Sequence, residues 1–141
     1  MHKIQVAIDP SLNGLGQDIS IKILNHTFSG ESIESSEVSI IFGNKTLLQE
    51  LKNEFFQIDK PTDVIAFRLN EYEDNNIEGE IYICLPVAKE NAEYFHEPYE
   101  KEVARLIIHG GLHLIGYDDD TDKNRDKMRD LENKYLKELK F

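Results

Sequence analysis

His109-Gly110-Gly111-Leu112-His113-Leu114-Ile115-Gly116-Tyr117-Asp118-Asp119 sets two imidazoles four residues apart and places carboxylates just past a glycine. Around it, Val103, Leu106, Ile107, Leu112 and Leu114 recur at helical spacing from Glu100 to Leu114. Both histidines then share one face of a helix, one turn apart, and can reach a single ion. Gly116 is placed to end that helix in a left-handed turn, which brings the following loop back toward the same ion. Asp118, Asp119, Asp120 and Asp122 are the candidates for a third ligand. Two histidines at this spacing are often ordinary packed or solvated residues. Here Gly110 and Gly111 stand inside the helix, where each costs about 1 kcal/mol relative to alanine, so something must approach the backbone beside His109.

Outward from this stretch, the N-terminal half alternates strand and helix patterns. Ile4, Val6 and Ile8 alternate with polar residues up to Pro10, a half-buried strand, and Ile19, Ile23, Leu24 and Phe28 form a helical stripe ended by Ser29-Gly30. Val38 to Phe42 is a short apolar strand; Asn44 is a plausible N-cap for a helix carrying Leu47, Leu48, Leu51 and Phe55. Asp59-Lys60-Pro61 breaks that helix. Asp63 to Leu69 reads as a third strand, with Ile65, Phe67 and Leu69 on one face and Val64, Ala66 and Arg68 on the other. Beyond an acidic loop, Asn70 to Glu78, a fourth strand from Glu80 to Leu85 should pair with the third as an antiparallel hairpin. Pro86 suits the first turn of a helix reaching Phe95. After the histidine helix, Thr121 can cap a last helix whose apolar stripe is Met128, Leu131, Tyr135 and Leu139. The order of elements predicts an α+β fold: a small mixed four-stranded sheet with helices packed on it, and a metal site on a central helix and the loop after it.

A chain of 141 residues is expected to form a single domain, residues 1–141, with a core that stands without disulfides. Cys84 is the lone cysteine and is expected to be a buried strand residue. The opening residues lack the apolar run of a signal peptide or membrane span, which points to a cytoplasmic protein with no membrane partner. With 27 acidic and 16 basic residues the formal net charge is −11, which opposes nonspecific nucleic-acid binding. A local basic patch or a bound dication can still receive RNA. His2 and His26 are isolated and expected at the surface, and His96 lies in the loop before the histidine helix.

His109 to Asp119 resembles the H-G-x-L-H-L-x-G-Y-D-H signature of the YbeY family, metal-dependent endoribonucleases of ribosomal RNA maturation. Asp59-Lys60-Pro61-Thr62-Asp63-Val64-Ile65-Ala66-Phe67 is similar to the family block D-K-P-T-D-V-L-S-F, and Gly79-Glu80-Ile81-Tyr82-Ile83 to its G-D-I-x-I segment. With Met128-Arg129-Asp130-Leu131-Glu132, these blocks cover the chain from about Val38 to its end. The resemblance implies a small sheet flanked by helices and a metal site of His109, His113 and Asp119, one zinc ion per chain. Those three residues would also carry catalysis. The implied substrate is single-stranded RNA, an rRNA precursor, and the implied partners are the ribosome or its proteins, in rRNA processing, ribosome maturation and quality control. Two positions depart from the family pattern. Asp119 stands where the family has a third histidine, and a carboxylate binds zinc at about the same distance as imidazole. Phe55-Phe56 stands where the family reads Tyr-Arg, and a phenylalanine cannot pair with phosphate; Arg68 and Lys60 are the cations that would have to substitute.

Three protein ligands leave a coordination position open, as catalytic zinc sites do. The zincin peptidases share H-x-x-x-H but place a glutamate directly after the first histidine, where this chain has Gly110. Two histidines and a carboxylate also describe the facial triad of non-haem iron oxygenases. The alternative from another class is a ribosome-associated metal-binding factor without catalysis, which Phe56 favours. Asp118, beside Asp119, is as well suited to capping the loop as to any direct role.

Overall fold

The computed structural model describes residues 1–56 and 62–141, with every side chain among them except that of Phe56. The expected roles of Phe56 and Lys60, and the break at Asp59-Lys60-Pro61, lie outside the described residues. The chain runs β1 (His2–Ile8), α1 (Gln17–Gly30), β2 (Ser35–Gly43), α2 (Lys45–Phe56), β3 (Val64–Arg68), β4 (Asn76–Cys84), α3 (Leu85–Phe95), α4 (Tyr99–Ile115) and α5 (Asp122–Glu138). The four strands form one mixed sheet in the order β1-β2-β4-β3. β1 and β4 flank β2 in parallel, with Ile4 opposite Val38 and Ile40 opposite Ile81. β3 returns antiparallel on β4, with Ala66 opposite Ile81, as the short connection predicts. The α+β class and mixed sheet follow the sequence pattern element for element.

Strand alternation separates two apolar clusters. Ile77, Ile81 and Ile83 of β4 join Val64 and Ala66 of β3 in the main core beneath α1 and α4, while Ile65, Tyr82 and Cys84 point the other way, toward Leu48 of α2. This is the two-residue period of a sheet covered on both faces. Cys84 is buried, as expected. Leu69, expected on the Ile65 face, lies past the end of β3 and is exposed.

α4 occupies the centre, packed against α1, α3, α5, β3 and β4. Gly110 and Gly111 explain how it gets there. A Cβ on Gly110 would stand 2.5 Å from Cγ2 of Ile81, and one on Gly111 would stand 2.7 Å from Cδ1 of Leu24. The groups approaching the backbone beside His109 are therefore the sheet and α1. Burying a side chain such as Ile81 or Leu24 contributes roughly 1.5–3 kcal/mol, which exceeds the roughly 1 kcal/mol penalty of each mid-helix glycine.

Helix ends match their sequence signals. The backbone N–H of Leu47 donates to Asn44 Oδ1 (2.9 Å), and that of Asn124 to Thr121 Oγ1 (3.1 Å). Gly116 ends α4 at φ 117°, a conformation that L side chains rarely adopt. Boundaries differ in the strands. β4 begins at Asn76 rather than Glu80 because the Asn70 side chain holds the turn, accepting from the Glu78 N–H and donating to the Asn76 carbonyl. On α5 the buried residues are Met128, Glu132, Tyr135 and Leu136, whereas Leu131 and Leu139 are only half-buried, so the inward face is rotated from the expected stripe. His2 is half-buried rather than at the surface: its Nδ1 lies 2.7 Å from Ser36 Oγ and its ring packs against Phe28. Burial holds its pKa below the ordinary value.

Candidate metal centre

α4 buries most of its circumference, yet Glu102, Arg105, His109 and His113 follow one another at spacings of three and four and form a polar stripe. Two of these stripe residues, His109 and His113, turn their Nε2 atoms toward each other at 3.0 Å. Asp119, from the loop that Gly116 reverses, brings Oδ2 to 3.6 Å from His109 Nε2 and 3.7 Å from His113 Nε2. These are the two histidines expected from helical spacing and, of the four candidate aspartates, the one that the family resemblance implies, gathered into one triangle of donor atoms.

The other nitrogen of each ring is already engaged. His109 Nδ1 donates to the Glu132 carboxylate at 2.7 Å, and His113 Nδ1 donates to the Tyr117 carbonyl at 2.9 Å. A carboxylate and a carbonyl only accept, so each Nδ1 carries hydrogen and each Nε2 presents a lone pair. Two lone pairs facing each other at 3.0 Å repel unless a proton or a cation lies between them. Burial lowers the pKa of His109, but the hydrogen bond and charge of Glu132, with Asp119, outweigh it and leave the group raised. Burial and the neighbouring His109 charge push His113 down.

The donor set fits a metal ion. Three ligands of a tetrahedral zinc ion, each about 2.1 Å from it, stand roughly 3.4 Å apart, close to the observed edges of 3.0, 3.6 and 3.7 Å. Histidines that hold metals donate their second N–H to a carboxylate or carbonyl, the arrangement found at both rings.

Glu132 had no role in the sequence reading. Its carboxylate is only 4% exposed and is shared between His109 and Arg105, whose Nη1 lies 3.2 Å away. Arg105 also lies 3.9 Å from Glu102, and Asn91 donates to both Glu102 and Asp63. Burial raises the Glu102 pKa. This half-buried chain of partners runs from Asp63, just before β3, through α3 and α4 to α5 and ends on His109. The available signal was the spacing of Glu132, four residues after Met128 and three before Tyr135, inside the apolar stripe.

The loop has its own anchors. Tyr117 donates its hydroxyl to Glu31 at 2.6 Å, and that hydrogen bond, aided by burial, pushes its pKa up to about 12. Tyr135 donates to the same carboxylate. The carbonyl that orients His113 is thereby tied to the end of α1. Asp118 accepts from Asn124 Nδ2 at 2.7 Å and caps the loop. Asp122 pairs with Arg125. His96 ends α3 in a left-handed conformation and is not part of the triangle.

Arg68, expected as a cation that could serve a phosphate, is instead fully engaged within the fold. Its Nε donates to Asn70 Oδ1, its Nη1 to the Leu114 carbonyl at 2.8 Å, and its Nη2 to the carbonyls of Glu71 and Asp74. It clips the β3–β4 turn onto the C-terminus of α4.

Two clefts flank the triangle. One, about 520 Å³, runs past Ala66 of edge strand β3 to His113; the other, about 580 Å³, opens between α3, α4 and α5, and His109 and Asp119 line both. No helix among the described residues is long and apolar enough to cross a membrane.

Residues 11–140 match the family described as Endoribonuclease YbeY. An "Endoribonuclease YbeY" from Chlorobium luteolum is 38% identical over 110 residues, 78% of this chain and 79% of the relative. One from Thermotoga maritima is also 38% identical over 110 residues, 77% of this chain and 71% of the relative. A solution structure of a Thermotoga maritima protein superposes with a TM-score of 0.63 at 33% identity, covering 96% of this chain and 88% of the other.

Proposed function

The chain belongs to the YbeY family of endoribonucleases, and from that premise we propose that it is a zinc-dependent endoribonuclease acting on single-stranded ribosomal RNA precursors. The observation that carries this reading is the pair of Nε2 lone pairs directed at each other, each fixed by an acceptor on its Nδ1. His109, His113 and Asp119 would hold the ion. When bound, zinc supplies Lewis acidity, drawing charge from a phosphoryl oxygen and making water acidic enough to attack near neutral pH. The protein's own residues set the geometry: Glu132 and the Tyr117 carbonyl keep both rings in the Nδ1–H form. Asp119 lies on the loop that Gly116 turns back, where both clefts meet the triangle.

The family setting supports a cytoplasmic role in rRNA processing, ribosome maturation and quality control, with the ribosome or its proteins as partners. Phe56, at the family's arginine position, favours a second reading, a ribosome-associated factor that keeps the metal without cleaving.

One assay separates these. Zinc-loaded wild type should cut single-stranded RNA and lose the activity in His113→Ala. RNA binding with no cleavage by the zinc-loaded wild type would support the second reading, and equal cleavage by His113→Ala would trace the activity to a contaminant.

A further inference from the structure

Phe95 closes α3 with 58% of its surface in water, its ring edge-on to Tyr94 at 4.9 Å. It also lines the 580 Å³ cleft that His109 and Asp119 line. Arg129 of α5 lines the same cleft, half exposed and 3.8 Å from Glu132. Deeper in, Asn91, Glu102, Arg105 and Glu132 satisfy one another in the chain described above.

We propose that this cleft is a nucleobase subsite, in which one base of a single-stranded RNA, next to the phosphate at the metal centre, stacks on Phe95 while Arg129 meets the backbone. The inference rests on the endoribonuclease reading and deepens it. An aromatic face combined with an arginine is how proteins hold single strands with little regard to sequence. The cleft volume lies within the roughly 300–1,000 Å³ of pockets that enclose small organic ligands. Stacking needs no cationic surface, which suits a chain of net charge −11. It also requires a base freed from its neighbours, so a duplex, whose bases are already stacked, is a poor ligand. His109 and Asp119 line the same cleft as Phe95, so a strand whose phosphate sits at the triangle passes into the cleft that Phe95 borders.

The sequence contains no tryptophan, so Phe95→Trp introduces a single tryptophan, excited apart from the tyrosines, at an exposed position. Phe141→Trp places the same fluorophore at another exposed position that does not line the cleft. Each zinc-loaded variant is mixed rapidly with a short single-stranded oligoribonucleotide, or with its duplex, and read before cleavage. Quenching should be strong for Phe95→Trp with the single strand and weak with the duplex or in Phe141→Trp. Phe95→Ala should lower single-strand affinity roughly tenfold, with Phe95→Tyr restoring it and zinc stoichiometry unchanged. Equal quenching in the two tryptophan variants would overturn the subsite, as would a Phe95→Ala protein that binds like a wild type able to cleave. A wild type that binds no RNA would overturn the endoribonuclease reading, and the subsite with it.

Discussion

The two halves of the metal centre are built differently. His109 and His113 stand on a helix pressed into the core, and each ring is held from behind, by a buried glutamate in one case and by a main-chain carbonyl in the other. Asp119 stands on a loop, its side chain 41% exposed and outside hydrogen-bonding distance of both rings. The helix half is preorganised by packing; the loop half is anchored at Tyr117 and Asp118 and would need the ion to bring in Asp119. A preorganised donor should therefore matter more to metal affinity than a loop donor, and its supports should matter nearly as much as the donor itself.

The largest effect should come from the helix donors. His109→Ala and His113→Ala should each abolish stoichiometric zinc binding, measured by metal analysis after dialysis, while still unfolding in one cooperative thermal transition. Unfolding at room temperature in both variants would make the metal a structural element and erase the contrast between the halves.

Next is the support behind His109. Glu132→Gln should weaken zinc binding by about 10- to 100-fold in calorimetric titration. It should also move the pH dependence. Zinc needs neutral imidazole, and Glu132 helps hold the His109 pKa above its ordinary value; wild-type affinity should fall as pH drops through that raised value. With the charge removed the proton competes less well, so the loss should begin at a lower pH. An unmoved profile would mean that Glu132 does not set the protonation of His109.

Gly110→Ala probes the packing under the helix half. The added methyl meets Ile81 in the central strand, an overpacking cost of about 1–3 kcal/mol offset by about 1 kcal/mol of helix propensity. A net loss of up to about 2 kcal/mol by denaturant titration is expected. Asp118→Ala, which removes the loop's acceptor for Asn124 and the Asp120 N–H, should change zinc affinity least. A loss as large as that of Glu132→Gln would show that the loop is as preorganised as the helix.

The same contrast explains what could be read from the sequence. Elements and caps were legible because Asn44, Thr121 and Gly116 act on their own neighbours, and the histidine pair because helical spacing fixes their relation. Glu132 was hidden because its partners, His109 and Arg105, are 23 and 27 residues away, and its place inside the apolar stripe is a faint mark of burial in so charged a helix. Gly110 and Gly111 were noticed, but only the fold shows that Ile81 and Leu24 are what fill the space. Arg68 looked available in the sequence because its acceptors are mainly carbonyls, which every residue has.

A structure of the zinc-soaked protein tests the site most directly. Zinc should sit on His109 Nε2, His113 Nε2 and a carboxylate oxygen of Asp119, with Glu132 and the Tyr117 carbonyl still bonded to the two Nδ1 atoms. Zinc on Asp118 or Asp120 in place of Asp119, or on an Nδ1 atom, would contradict it.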